Sequence, residues 1–435
     1  MILFFRLRDL IKNNEILLGT VAAFLVKGIS ATGMFFLNIL VARYLGAEQA
    51  GLFFLSQAIC IMLANITRQG YDNALIRFVA GYRVEGDTHR ISGLVQYVGV
   101  RVLITSFFTA TLLFLLSPFL SEYIFEKEKL SQTLRIAAWL IVPLSFSQLI
   151  GFCFQGLKKV VFGMFYQSCL LVIVSVFSIV IFSPEDSKSL MVIYVFCSLL
   201  VAALAFFQWK KAIPLRPCTF NDSAKQSINK VIGPLFVILL LNQMTQWAGQ
   251  LMLGAWSSAA DVALFAAAQR TAMLTSFVLI AVNAIAAPKF AEAFKQNRHD
   301  EIEQVALSSS RIMTAAAVPI LIFMIVFAPW LMSLFGADFV DGAIILRILA
   351  IGQFVNVVTG SVGYLLQMTA NERVLRNNMA ISSLILVIGS VFAIPLFGAV
   401  GAAVVTSFAI ATQNLLCVYQ VKKKLGFNTL NVFPR

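Results

Sequence analysis

LFFLSQAICIMLANITRQGYDNALIRF, residues 52–78, is an apolar run of membrane-spanning length that closes on Asn65, Arg68 and Asp72. Their spacing of i, i+3 and i+7 stacks them along one helical face. A charge inside hydrocarbon costs roughly 2.5–3.5 kcal/mol on insertion scales, so such a side chain usually faces protein or water. Two readings stay open at this residue. Either Arg68 lines a polar cavity inside a helical membrane protein, or it snorkels to the cytoplasmic interface with Asp72 as its ion-pair partner.

The remaining sequence sets the membrane context. Of 435 residues, 60% are hydrophobic and 12% charged, and the mean hydropathy is +0.87. Soluble domains carry roughly 25% charged residues, so the chain is integral to a membrane. The opening MILFFRLRDLIKNNE has no signal-peptide pattern and reads as a short interfacial helix. Six scattered cysteines, without CxxC or a neighbouring His, read as small core hydrophobes rather than metal ligands or a disulfide framework. The net charge of +13 does not imply nucleic acid, because the basic residues sit in short loops between spans.

Twelve spans fit at about 16–43, 49–77, 91–117, 132–156, 160–183, 189–209, 229–256, 261–287, 304–332, 341–368, 377–397 and 399–421. Lys and Arg concentrate in the N-terminal tail and after even-numbered spans, as at Arg83, Arg90, Lys158, Lys210, Lys289, Arg373 and Lys422. Both termini are therefore expected in the cytoplasm. A second regularity runs through the punctuation. Adding 212 carries Gln57 to Gln269, Phe78 to Phe290, Arg135 to Arg347, Gly151 to Gly363, Gln155 to Gln367 and Lys210 to Lys422. The expected fold is all-α and polytopic, with two parallel six-helix repeats related by an axis along the membrane normal. Residues 1–207 form a first lobe, 208–227 a cytoplasmic linker, 228–421 a second lobe and 422–435 a tail. Such repeats suggest a central cavity that opens alternately to either side.

Four basic residues fall in mid-span: Lys27, Arg68, Arg101 and Arg270. Lys27, Arg101 and Arg270 lie about nine to eleven residues from their span ends, near the midplane at 1.5 Å per residue. None is duplicated: the positions 212 away from Lys27, Arg68, Asp72 and Arg101 are Leu239, Ile280, Ala284 and Met313, and Arg270 answers to Ala58. Charges present in one copy suggest one asymmetric anionic ligand, for which Arg supplies a bidentate fork and Lys a point charge. The second repeat instead carries amide stripes. Asn242, Gln246 and Gln250 run i, i+4, i+8 beside Gln243 and Trp247; Gln353, Asn356, Gly360, Gly363 and Gln367 keep 3/4 spacing; Gln269, Ser276 and Asn283 keep a spacing of seven. With Asn38 and Asn65 they could meet sugar hydroxyls, or they could serve helix–helix hydrogen bonding. No GxxxxGK[ST], HExxH, GxSxG or Asp-rich metal motif is present, so no cofactor and no metal are expected.

ARYLGAEQAGLF (42–53), YDNALIRFVA (71–80), FQGLKK (154–159) and APKF (287–290) resemble the oligosaccharide flippases of bacterial polysaccharide biosynthesis, the O-antigen translocase type. The likeness covers essentially the whole chain. That superfamily also holds multidrug and toxin extrusion transporters and the lipid II flippase. The resemblance implies twelve helices in two lobes around a V-shaped cavity, in the bacterial inner membrane. It implies transport rather than enzymatic chemistry: an undecaprenyl-diphosphate-linked oligosaccharide moved from the cytoplasmic to the periplasmic leaflet, with glycan polymerase machinery as a further partner. Lys27, Arg68, Arg101 and Arg270 would hold the diphosphate, and the second-lobe amides with Trp247 the glycan. The drug-extruding branch is the nearest rival. It needs a membrane-embedded carboxylate, and Asp72 is the one candidate, open as an ion-coupling group or as the partner of Arg68. A polymerase should show large periplasmic loops, and the loops here are only about four to fifteen residues.

Overall fold

A computed structural model describes residues 2–214 and 222–431, and among them every regular element is helical. α1 (Ile2–Thr67) spans 66 residues, about 99 Å at the α-helical rise, so it cannot be one pass through a ~30 Å hydrocarbon layer. It breaks at Gly46 (φ 68°), a left-handed conformation that glycine adopts without penalty. After Thr67 the chain breaks again: Gln69 and Gly70 both take positive φ before α2 (Tyr71–Val84) resumes. The span expected at 49–77 is therefore discontinuous.

α3 (Thr88–Phe119) starts at Asp87, whose carboxylate accepts from the Arg90 amide. α4 (Glu128–Ala138) and α5 (Ile141–Gly156) form one pass bent by 42°. α6 (Val160–Met164) and α7 (Leu170–Phe182) are joined by a wide turn, and α8 (Ser187–Ala212) is capped by Asp186. α9 (Asp222–Trp256) opens the second half. α8 and α9 both run into the stretch expected as linker, and residues 215–221 lie outside the described ones. α10 (Ala259–Ala272) begins with a Ser258/Asp261 capping box and continues through a 3-10 turn into α11 (Ser276–Lys295). α12 (His299–Val326), α13 (Ala328–Ser333), α14 (Ala343–Val358), α15 (Val362–Met368) and α16 (Glu372–Leu425) complete the chain. α16 also breaks, at Gly398 (φ 53°). By length and apolarity eight helices qualify as spans and the bent pair makes a ninth. Counting the glycine-broken α1 and α16 as two passes each, and adding α9, brings the described residues to the twelve expected.

The offset of 212 recurs in the turns. Gly46 and Ser258 occupy equivalent positions, as do Asp186 and Gly398. In each pair one copy turns on a left-handed glycine and the other on a side-chain N-cap.

The core divides by depth. At one end a single apolar cluster joins both halves, with Leu37, Phe53 and Leu134 against Phe265, Phe335 and Leu346. At the other end, which carries the basic loops, there are two separate clusters. One gathers Leu75, Leu94, Phe154 and Trp209; the other gathers Phe290, Leu365, Val418 and Phe427. The halves thus share one core at the far end, while at the basic end each has its own and the start of α9 reaches across through Ile228 and Ile232; this fits the V-shaped arrangement that the resemblance implied.

Candidate functional site

The far-end seal is made of small residues and cross-half hydrogen bonds. A Cβ on Gly51 would lie 1.7 Å from the Ala259 carbonyl oxygen, and one on Gly254 would lie 2.6 Å from Leu55. Gln250 Nε2 donates to the Phe54 carbonyl at 3.0 Å. Lys127 Nζ donates to the Gly254 carbonyl at 2.6 Å, and Arg43 Nε to that of Leu334 at 2.8 Å. The amide of Gln250, expected to meet glycan, is thus buried as a staple between the halves. Asn38 is likewise buried and donates to the Met34 carbonyl one turn back in its own helix.

The break between α1 and α2 organises the middle of the molecule. Thr105 Oγ1 donates to the Thr67 carbonyl at 3.0 Å and so satisfies one carbonyl that the interrupted helix leaves free. Arg68 sits at the break and is buried. Its Nε and Nη2 meet both oxygens of Asp72 at 2.7 and 3.0 Å, Nη2 also meets Asn65 Oδ1 at 2.9 Å, and Nη1 meets the Ala64 carbonyl at 3.2 Å. The neighbouring ring of Phe152 lies 5.9 Å from the guanidinium. Asp72 is therefore an ion-pair partner here, and Arg68 has little donor capacity left for a ligand. From Asn65 the network crosses to the second half: Asn65 Nδ2 donates to Gln243 Oε1 at 2.8 Å, which also accepts from Trp247 Nε1 at 3.1 Å.

On the other side of the break, the exposed Arg101 directs Nη1 to the hydroxyls of Tyr71 and Tyr97, both at 3.0 Å, and to Asn229 of α9 at 3.4 Å. Lys27 is exposed and has no hydrogen bond or ion pair with the described residues. At 100° per residue it lies about opposite the exposed Leu25, Ile29 and Phe36, so it points away from the lipid-facing stripe of its helix.

Arg270 stands apart. Its Nη2 donates to Gln57 at 3.0 Å, its guanidinium covers the Phe54 ring at 4.2 Å, and its buried Nη1 has no partner among the described residues. Counting rise per residue from the far-end turns, Arg270 lies about 18 Å deep, Lys27 about 28 Å and Arg68 about 33 Å. Arg101 is about one turn deeper again, since Thr105 is level with Thr67. Lys27, Arg101 and Arg270, expected at one level, therefore split: Lys27 and Arg101 lie with Arg68 toward the basic end and Arg270 in the seam. Hydropathy could not reveal this, because the helices overrun the hydrocarbon by different lengths.

α9 places the amides by its own periodicity. Gln243, Gln250 and Gly254 face α1, while Thr245 meets Ser383 of α16 at 3.0 Å on the opposite side. Of the two flanks left over, one exposes Val237 and Met244 and the other exposes Asn242 and Gln246, about 160° away. An apolar flank suits lipid and a polar one suits water, so Asn242 and Gln246 face the V. In the other stripe, Gln353 accepts from Ser276 at 2.8 Å and from Asn356 at 3.3 Å, tying α14 to α11. Gln269 is half-buried beside Arg270, and Gln367 is exposed on α15. Sequence reasoning missed Gln57, Tyr71, Tyr97 and Asn229 as partners of the cations. Gln57 alone carried a signal, as the repeat mate of Gln269. Among the described residues no cluster of His, Cys, Asp or Glu could hold a metal.

Two bundles sealed at one end around a polar seam, each passing the membrane repeatedly, form the architecture of a membrane transporter. The sequence profile of the polysaccharide biosynthesis protein family matches residues 16–294, and that of the MatE family residues 234–396. The chain belongs to the polysaccharide biosynthesis protein family. Among solved structures, it is similar to the lipid II flippase MurJ in an inward closed conformation, at 15% identity over 93% of this chain and 87% of that one (TM-score 0.72). It is similar to an inward-facing multidrug resistance MATE family transporter of the MOP superfamily, at 15% identity over 94% of both chains (TM-score 0.71). A MOP superfamily transporter from Pyrococcus furiosus, titled for the reverse polarity of its binding pocket, aligns at 15% identity over 94% and 95% (TM-score 0.65). No curated protein matches the chain by sequence.

Proposed function

We propose that this protein flips an undecaprenyl-diphosphate-linked oligosaccharide, an O-antigen-type repeat unit, from the cytoplasmic to the periplasmic leaflet of the bacterial inner membrane. The observation that carries this reading is the charge balance of the seam. Four basic groups face it or lie in it, and the one carboxylate it holds among the described residues, Asp72, is already neutralised by Arg68. A pocket with surplus positive charge and spare donors attracts phosphate oxygens. Lys27 and Arg101 are the groups free to reach a diphosphate while the V is open at the basic end. Arg68 holds the break in place, and Arg270 becomes available as the far-end seal parts. Asn242 and Gln246, with Trp247 behind them, offer amides to the sugars. A cation antiporter would need Asp72 released from two charge-assisted bonds, which disfavours drug efflux.

The test is a vesicle assay with the full chain and a fluorescent prenyl-diphosphate oligosaccharide. Lys27→Glu should abolish flipping while leaving protein level and melting unchanged, and Arg101→Glu should abolish it too, with some loss of stability from the broken bonds to Tyr71, Tyr97 and Asn229. Undiminished flipping in both variants, or cationic-dye efflux that depends on Asp72, would overturn the assignment.

A further inference from the structure

Away from the seam, the first half carries an unbroken apolar trough between α3, α5 and α8. Three adjoining cavities of about 500, 590 and 530 Å³ meet at Val142, which lines all of them, and at Leu103, Phe107, Pro143 and Leu199, each of which lines two. The trough exists because small residues form its waist: Gly99, Ala202 and Ala203 beside Pro143. It runs from Gln96 to Phe114 along α3, about 27 Å, close to the full ~30 Å hydrocarbon thickness. Each mouth has a cation on a rim aromatic. Lys210 Nζ lies 4.7 Å from the Phe206 ring at the basic end, and the Arg135 guanidinium 5.8 Å from the Phe114 ring at the far end.

We propose that this trough binds the tail of a long polyprenyl phosphate. Length selects the occupant. An acyl chain of a phospholipid fills one leaflet, about half the layer, whereas the trough passes through both without a step. Charge agrees, since a phosphate-headed chain meets a cation whether its head lies at one face or the other. The small residues that open the trough are also not repeated in the second half. The positions 212 beyond Gly99 and Ala202 are Arg311 and Asn414, which put bulk and polarity where the first half leaves space. The inference rests on the flippase reading and adds a dock for the lipid part of its substrate.

The experiment uses the full chain in nanodiscs of phosphatidylethanolamine and phosphatidylglycerol with a diazirine-bearing long-chain polyprenyl phosphate. Crosslinks should map to α3, α5 and α8. Unlabelled polyprenyl phosphate should compete, and added phosphatidylglycerol should not. Ala203→Trp fills the exposed waist, and Gly99→Leu does so where a Cβ has only Leu149 at 4.0 Å. Each should cut labelling about tenfold, the loss of one or two buried isoprene contacts. Equal labelling by a diazirine phosphatidylglycerol, or full labelling in both variants, overturns the dock. A soluble short-prenyl diphosphate oligosaccharide separates the two ideas. Its failure to bind the wild type breaks the headgroup reading, while the crosslink map alone decides the tail.

Discussion

In the first half the second pass is cut at Gln69 and Gly70; in the second half the equivalent residues, Ala281 and Val282, run on inside unbroken α11. The same pass of the repeat is thus cut at this level in one copy and runs through it in the other, where the departure from α-helix is instead the 3-10 turn Met273–Thr275. Discontinuous spans expose backbone groups and fix polar side chains in mid-membrane, where a regular helix would hide them. Arg68, Asp72, Tyr71 and Arg101 all gather at that cut, and their repeat mates Ile280, Ala284, Asn283 and Met313 hold no charge. The first half supplies three of the four cations, and the second supplies Arg270 with most of the amides. A repeated scaffold thereby presents an asymmetric surface.

The far-end seal offers the hardest test of that contrast. Gly51 leaves no space for a Cβ against the Ala259 carbonyl, whereas its repeat mate Ala263 already carries one. Gly51→Leu should prevent closure and abolish transport. A Ser257→Cys reporter beside the seal should then react with a membrane-impermeant thiol reagent added from the far side. Unchanged reactivity would mean that the seam closes by other contacts.

Next in size is the ion pair. Removing Arg68 alone strands a mostly buried Asp72, and breaking such a pair costs about 3–5 kcal/mol. Transplanting both second-half residues, Arg68→Ile with Asp72→Ala, should recover most of that stability in a melting assay. Flipping should stay absent. If the double variant transports, the charged cut is only architectural.

Gly70 separates backbone from charge. Its φ of 81° and the Phe236 amide nitrogen 3.0 Å from a virtual Cβ both oppose any side chain. Gly70→Val, again the second-half residue, should lower stability by about 1–3 kcal/mol through strain and displacement of α9. Wild-type melting in this variant would show that α9 does not depend on the cut.

These positions also show what could be read in advance. The twelve passes and the offset of 212 were legible because hydropathy and repeat register are one-dimensional properties. The four mid-span cations were legible for the same reason, but their division by depth was not. Helix length beyond the hydrocarbon and the tilt at Gly46 decide depth, and neither leaves a trace in composition. The Gln69–Gly70 cut had a faint signal, a glycine ahead of Asp72 in a new first turn, which the apolar periodicity around it masked. Asn38 and Gln250 were read as cavity groups because spacing names a helix face without naming what that face meets. Arg68 shows the same limit: its partner Asp72 was visible at i+4, but the saturation of its donors was not.

The smallest effect concerns Lys127, whose repeat mate is the buried core residue Phe339. Lys127 lies in the turn before α4, outside the spans, and clasps the carbonyls of Phe125 and Gly254. Burial pushes its ammonium below the usual lysine range, with Glu126 and Asp261 pulling the other way. At neutral pH both folded and unfolded states hold the proton, and the folded state bears the penalty. As pH rises through the lowered folded value, the folded state sheds its proton first, so stability increases until the ordinary lysine value near about 10.4 is passed. Because the side chain is only half-buried, solvent screening should keep the rise under about 1 kcal/mol. Melting curves between about pH 8 and pH 10 should show the increment in the wild type and a flat difference in Lys127→Met. A slope that survives the substitution would assign the titration elsewhere and leave the Lys127 clasp as a simple hydrogen-bonded latch between unlike halves.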